Sequence, residues 1–263
     1  MIYPPGFHTL TAVISRLSGL RPLEVFPVLA PILLLLPALA SYTLARRLWG
    51  WQYSGAAALF SGVLLGGTYY YYNDAMYPNL VTSQFLLVLT VAALVGLYAS
   101  PTVRSGLLLA LLGSSVVLYH QVASLYEAAL LALVAVYFLP YLLVHERTKG
   151  FVLLSSLALL GFLSVLYAWD TYDLPQAVAG LVGGAEAGTT GDAVGMAVGT
   201  QAPYPLDFLV GTIVSQPVAW LGLLGALFLL AELLRKKVGT PQALAQLTLL
   251  LGPCCCSSAA AHR

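Results

Sequence analysis

Apolar runs of about twenty residues, separated by short basic or aromatic-polar breaks, organise this chain. The first reaches from Val25 to Leu44 and closes on Arg46 and Arg47. A run of that length, at roughly 1.5 Å per residue, crosses the ~30 Å hydrocarbon layer, where unpaired backbone is not tolerated, so a membrane helix is predicted over residues 23–47. Pro27, Pro31 and Pro37 remove backbone donors from it and predict kinks. A second span is expected from about Tyr53 to Tyr70, with Gly62 and Gly66 four apart so that another helix can approach closely. A third covers about Leu80 to Tyr98. The apolar stretch between Arg104 and the cluster Arg147 and Lys149 is long enough for two spans, folding back near Tyr119-His120-Gln121. A sixth runs from about Phe151 to Trp169 and a seventh from Phe208 to Leu234. The short run Ala243 to Leu251 reads as an incomplete eighth. Ahead of all these, Leu10, Val13, Ile14 and Leu17 recur at helical spacing with Arg16 and Arg21 off that face, predicting a short helix in the interface plane.

The expected fold is therefore all-α, a polytopic helical bundle of about seven spans, occupying residues 1–251 and followed by a non-helical tail, 252–263. Composition agrees: of 263 residues 60% are hydrophobic and only 8% charged, too apolar for a soluble domain of this size. The net charge of +1, with no clustered basic surface, argues against a nucleic-acid partner.

Where the few charges fall sets the orientation. Arg46, Arg47, Arg104, Arg147, Lys149, Arg235, Lys236 and Lys237, eight of the eleven basic residues, stand at alternate span ends, which the positive-inside rule places in the cytoplasm. Glu24, Asp74, Asp170, Asp173, Glu186, Asp192 and Asp207 then fall outside. The predicted location is the cell membrane, multi-pass, with membrane lipid as the surrounding partner. No signal peptide precedes the first span, since there is neither a basic n-region nor an apolar h-region before it. Because residues 1–22 must nevertheless lie outside, a missing upstream span is expected, and both chain ends read as incomplete. Cys254, Cys255 and Cys256 are adjacent, which suits neither a structural bridge nor spaced zinc ligands. They read first as the product of how the frame ends, and second as a juxtamembrane palmitoylation site.

Soluble-enzyme signatures are absent: the glycines of 180–199 lack a Gly-Lys-Ser/Thr ending, and there is no HExxH or Gly-x-Ser-x-Gly. The long loop 171–206 reads as either functional or disordered. What remains is a set of polar groups at one membrane face: Tyr3, His8, Asn73, Asp74, His120 and Gln121 all map to the outer side. Singly, each has an ordinary role as an interfacial histidine, a loop acid or part of a headgroup belt. Together they form the candidate substrate-binding set. Glu127 joins it, seven residues after His120 and inside an apolar run, where a carboxylate faces the bundle or a wet cavity. A packing contact with a neighbouring serine or tyrosine is the alternative role for Glu127.

The element Tyr3-Pro4-Pro5-Gly6-Phe7-His8, followed by a short helix and a proline-bearing span closing on Ala45-Arg46-Arg47-Leu48, resembles the polytopic glycosyltransferases of the C superfamily, which use polyprenyl-phosphate-linked sugars. The resemblance extends weakly over most of the chain, and Tyr-Pro-Pro-Gly is its only local motif. It implies transfer of a sugar from a polyprenyl-phosphate-linked donor at the extracytoplasmic face, with a carboxylate accepting the acceptor proton and cationic or metal groups balancing the leaving phosphate. A divalent metal is the one cofactor it suggests. In that superfamily the essential acid lies in an outer loop ahead of the Tyr-Pro-Pro-Gly element, which is where this sequence begins, so no catalytic residue is assigned and no turnover is expected from the fragment. Asp74 is the candidate for the second loop's acid. Arg16 and Arg21 are placed to meet a phosphate or ordinary anionic headgroups. Two other readings stay open: a secondary transporter, which would set polar groups at mid-membrane on broken helices, and a non-catalytic assembly subunit.

Overall fold

The computed structural model describes residues 6–64, 77–119 and 121–171, together with four isolated positions between 224 and 231. Among the described residues there is no strand, and seven helices follow one another: α1 Gly6–Ser18, α2 Pro22–Trp49, α3 Trp51–Leu59, α4 Tyr77–Ala99, α5 Val103–Tyr119, α6 Gln121–His145 and α7 Arg147–Thr171. Wide, π-type turns continue α3 over Phe60–Leu64 and form part of α4 over Leu80–Leu86. Four helices are long and apolar enough to cross a membrane: α2, α4, α6 from Tyr126, and α7 as far as Trp169; α5 is apolar but shorter. Of the seventh expected span only those four positions are described, and the eighth, the loop 171–206 beyond Thr171 and the tail lie outside the described residues.

Local chemistry explains α2. Pro22 opens it at a position where a missing N–H costs nothing, and the Arg21 N–H donates to Glu24 Oε2 at 2.8 Å. Glu24 in the first turn and Arg46 and Arg47 in the last oppose the helix dipole at both ends. The helix runs unbroken through Pro27, Pro31 and Pro37. It is apolar all round because it has two apolar neighbours: Val25, Leu29, Leu33, Ala40, Leu44 and Leu48 are buried in protein, whereas Leu23, Val28, Ile32, Leu35 and Leu39 face outward. Gly50, at φ 86°, reverses the chain, and its N–H donates to the Arg46 carbonyl. The described part of the second expected span, residues 51–64, then returns along α2. A Cβ on Gly62 would lie 2.9 Å from Ala38 Cβ, so this glycine is where the two helices touch.

Helix α4 is the most enclosed of the long helices. Its basic-end half supplies Ala93, Leu94, Leu97 and Tyr98 to a core shared with Leu109 of α5, Val134, Phe138 and Leu142 of α6, and Leu153 of α7. Its opening turns supply Leu80 and Val81 to a second core with Phe7, Val25, Leu29, Leu33 and Val116. The chain folds back between the helix ending at Tyr119 and the one opening at Gln121, as the charge pattern requires, so α5 and α7 run parallel with α6 antiparallel to both. The bundle therefore has two unlike ends. One gathers Arg46, Arg47, Arg104, Arg147 and Lys149. There the Arg47 guanidinium donates to the Ala92 carbonyl at 2.9 Å, over the bare face of Gly96, and Lys149 pairs with Glu146 and sits 4.9 Å above the Tyr98 ring. The other end holds the starts of α1, α2, α4 and α6 and the end of α5.

Candidate functional site

This second end is where the polar set was expected. Phe7, Phe26 and Tyr77 stack there as a triad, with centroids 5.9 Å apart for Phe7–Tyr77 and Phe26–Tyr77 and 6.2 Å for Phe7–Phe26. Three chain segments distant in sequence are thereby fixed to one another. The start of α1 also meets the last turn of α5: a Cβ on Gly6 would lie 2.7 Å from the Leu118 carbonyl oxygen and 3.2 Å from the Tyr119 ring. Gly6 opens α1, and the absence of its side chain allows the helix to rest directly on the α5 backbone.

The face that α1 buries also differs from its apolar stripe. Gly6, Phe7 and Thr11 are buried and Ile14 packs beside them, while Val13 and Leu17 stand exposed, in position to enter lipid rather than protein. Thr11 accommodates its burial by donating its hydroxyl to the Phe7 carbonyl at 3.0 Å.

Of the candidate residues, His8 is described on the exposed side of α1, its ring 6.4 Å from that of Phe7 and edge-on to it. Gln121 opens α6, but its side chain, like Tyr3, Asn73, Asp74 and His120, lies outside the described residues. Their described neighbours, Gly6, Tyr77 and Tyr119, all belong to this end. The wide turns Phe60–Leu64 and Leu80–Leu86 lie on either side of the segment carrying Asn73 and Asp74. Such turns depart from the α-helical hydrogen-bond pattern and recur near functional positions. Ser83 and Thr82 donate to the Asn79 and Pro78 carbonyls at 2.5 and 2.6 Å across the second of them.

Glu127 stands roughly 9 Å along α6 from its start and is 2% exposed. It points at the α5–α7 seam, where a Cβ on Gly113 would fall 2.7 Å from Glu127 Oε1 and 2.3 Å from Leu160 Cδ1. Gly113 thus leaves the room that the carboxyl group occupies. Oε1 has no hydrogen-bond partner, and neither does the buried Oγ of Ser164, one turn beyond Leu160 on α7. Ala123, one turn before Glu127, belongs to the same core as Phe7, so α6 links the carboxyl group to the aromatic triad without placing it among the exposed groups around His8.

A buried carboxyl oxygen without a partner accepts hydrogen bonds readily and is costly to leave without them. Among the described residues no three His, Cys, Asp or Glu side chains come together as a metal centre would require. Sequence patterning pointed to Glu127 through its unusual depth, but Gly113, Ser164 and the wide turns are visible only in three dimensions. No family model, no curated protein and no solved structure matches this chain.

Proposed function

We propose that this chain is the membrane domain of a glycosyltransferase that takes its sugar from a polyprenyl-phosphate-linked donor, and that the end bearing Gly6–His8, Tyr77 and Tyr119 is its donor-facing, extracytoplasmic side. The orientation follows from the opposite end, where Arg46, Arg47, Arg104, Arg147 and Lys149 collect as the positive-inside rule requires of a cytoplasmic surface. About seven spans complete the bundle in this reading, with Phe208 to Leu234 as the last full one.

One observation carries the proposal. The residues after Tyr3-Pro4-Pro5 are not a free amphipathic arm but are docked, through Gly6 on Leu118 and Phe7 on Tyr77 and Phe26, between the segments leading to Asp74 and to His120. A donor whose prenyl tail stays in lipid while its sugar reaches water needs a polar site at this depth, rimmed by aromatic side chains. His8, Asn73, Asp74, His120 and Gln121 are the groups proposed to meet the sugar phosphate, with Tyr3 at the rim. Glu127 lies behind them as the buried hydrogen-bond acceptor.

The test is donor capture rather than turnover. The chain in nanodiscs is irradiated with a photoreactive polyprenyl-phosphate sugar, and labelled peptides are mapped. Labelling of 1–14 or 69–79, competed by the unlabelled phosphate-sugar but not by free polyprenol, supports the proposal. Equal competition by free polyprenol, or labelling confined to the Arg47 end, removes it. The buried acid favours one second reading, a transporter with Glu127 as its coupling group. Uptake abolished by Glu127→Gln, with no donor labelling, would establish that reading instead.

A further inference from the structure

At the basic end, away from the proposed donor site, α5 and α7 leave a groove of about 240 Å³ between them, open to the outside of the bundle. Val103, Gly106 and Leu107 form one wall, and Phe151, Ser155 and Leu159 line the other. Gly106 brings the walls together, since a Cβ there would lie 2.5 Å from Ser156 Oγ. The groove has no free hydroxyl to offer: Ser155 and Ser156 donate to the Phe151 and Val152 carbonyls of their own helix at 2.8 and 2.6 Å. Val103, Leu107 and Phe151 stand exposed along it, so its interior suits a hydrocarbon chain.

Its mouth is chemically different. Arg104 adjoins Val103, and Arg147 precedes Phe151 by one helical turn; both are exposed, and neither forms an ion pair among the described residues. The neighbouring cation, Lys149, is already engaged by Glu146 and the Tyr98 ring. Two exposed arginines without ion pairs among the described residues, adjacent in sequence or one turn away from the lining of an apolar groove, complement an amphiphile with an anion at its head, and a guanidinium binds phosphate oxygens in a bidentate fork. We propose that the α5–α7 groove is a binding site for one anionic phospholipid of the bilayer, its acyl chain lying between Val103 and Phe151 and its phosphate held by Arg104 and Arg147.

The full chain is reconstituted in equal parts phosphatidylglycerol and phosphatidylcholine, released into the gas phase from mild detergent, and the retained lipids are counted by native mass spectrometry. One phosphatidylglycerol retained in preference to phosphatidylcholine is expected. The double variant Arg104→Gln, Arg147→Gln should reduce that preference by roughly thirty-fold, two juxtamembrane charges' worth, and Arg104→Lys, Arg147→Lys should keep much of it. Ser155→Phe fills the groove without altering charge and should also expel the lipid. Equal retention of both lipids, unchanged retention in the glutamine pair, or retention undiminished by Ser155→Phe each overturns the site. So does complete displacement by polyprenyl phosphate, which would make the groove a carrier site.

Discussion

Gly6→Ala tests whether the opening of α1 is docked as described. The added Cβ would stand 2.7 Å from the Leu118 carbonyl oxygen, whereas ordinary contacts begin at 3.4 Å, so α1 and the last turn of α5 must part by about 0.7 Å. The obstacle is backbone and cannot rotate aside. A gap of 0.5–1 Å forfeits roughly a quarter to a half of each dispersion contact, and Phe7, 2% exposed, loses them along its whole length. Overpacking of this kind costs about 1–3 kcal/mol. By the scaling for soluble chains of similar length, that lowers Tm by about 2–12 °C. The assay pairs thermal unfolding in detergent with maleimide labelling of Thr11→Cys, in a background where Cys254, Cys255 and Cys256 are serine. Thr11 is 4% exposed and should become reactive when α1 lifts. Gly161→Ala is the control, because nothing lies within 4 Å of a Cβ there; it should be neutral or stabilising by up to about 1 kcal/mol. If Gly6→Ala behaves like Gly161→Ala in both measurements, the docking of α1 on α5 is refuted.

Glu127→Met removes an unsatisfied polar oxygen from an apolar seam and should leave Tm unchanged or raise it by a few degrees while donor labelling falls; a lower Tm would show that the carboxyl group is satisfied. Gly113→Ala should destabilise by about 1–3 kcal/mol, and part of that cost should vanish when combined with Glu127→Ala, as a double-mutant cycle read by thermal unfolding would show. Gly96→Ala puts a methyl group where the Arg47 guanidinium rests, so it and Arg47→Ala should be non-additive, each costing no more than about 1 kcal/mol at this exposed end; strict additivity would separate the two residues. Tyr98→Phe should retain the Lys149 contact and Tyr98→Leu should lose it at about 0.5–1 kcal/mol beyond the volume change, measured against the same pair in Lys149→Met.

Apolar length made the four membrane-length helices legible in advance, and the placement of a few cations made their alternation legible. The reversal between Tyr119 and Gln121, the return of the chain at Gly50 and the Gly62 contact all follow from spacing, because membrane helices must satisfy their backbone internally and basic residues mark alternate ends. The same signals could not assign the buried face of α1. Val13 and Leu17 satisfy the apolar period equally well when they face lipid, so periodicity does not distinguish the two apolar environments. Glu127 stood out by its depth, yet its surroundings depend on a glycine fourteen residues earlier in sequence and a leucine thirty-three later, and no local pattern encodes those approaches.

A wide turn is, in effect, one extra residue absorbed by a helix without breaking it. Across Leu80–Leu86 the two halves of α4 are thus set about 100° away from the mutual orientation that uninterrupted α-geometry would impose. The Tyr77 half can keep its aromatic partners while the Tyr98 half keeps its own. Shortening that segment by one amino acid would force the helix into a single register, and one end would have to release its neighbours.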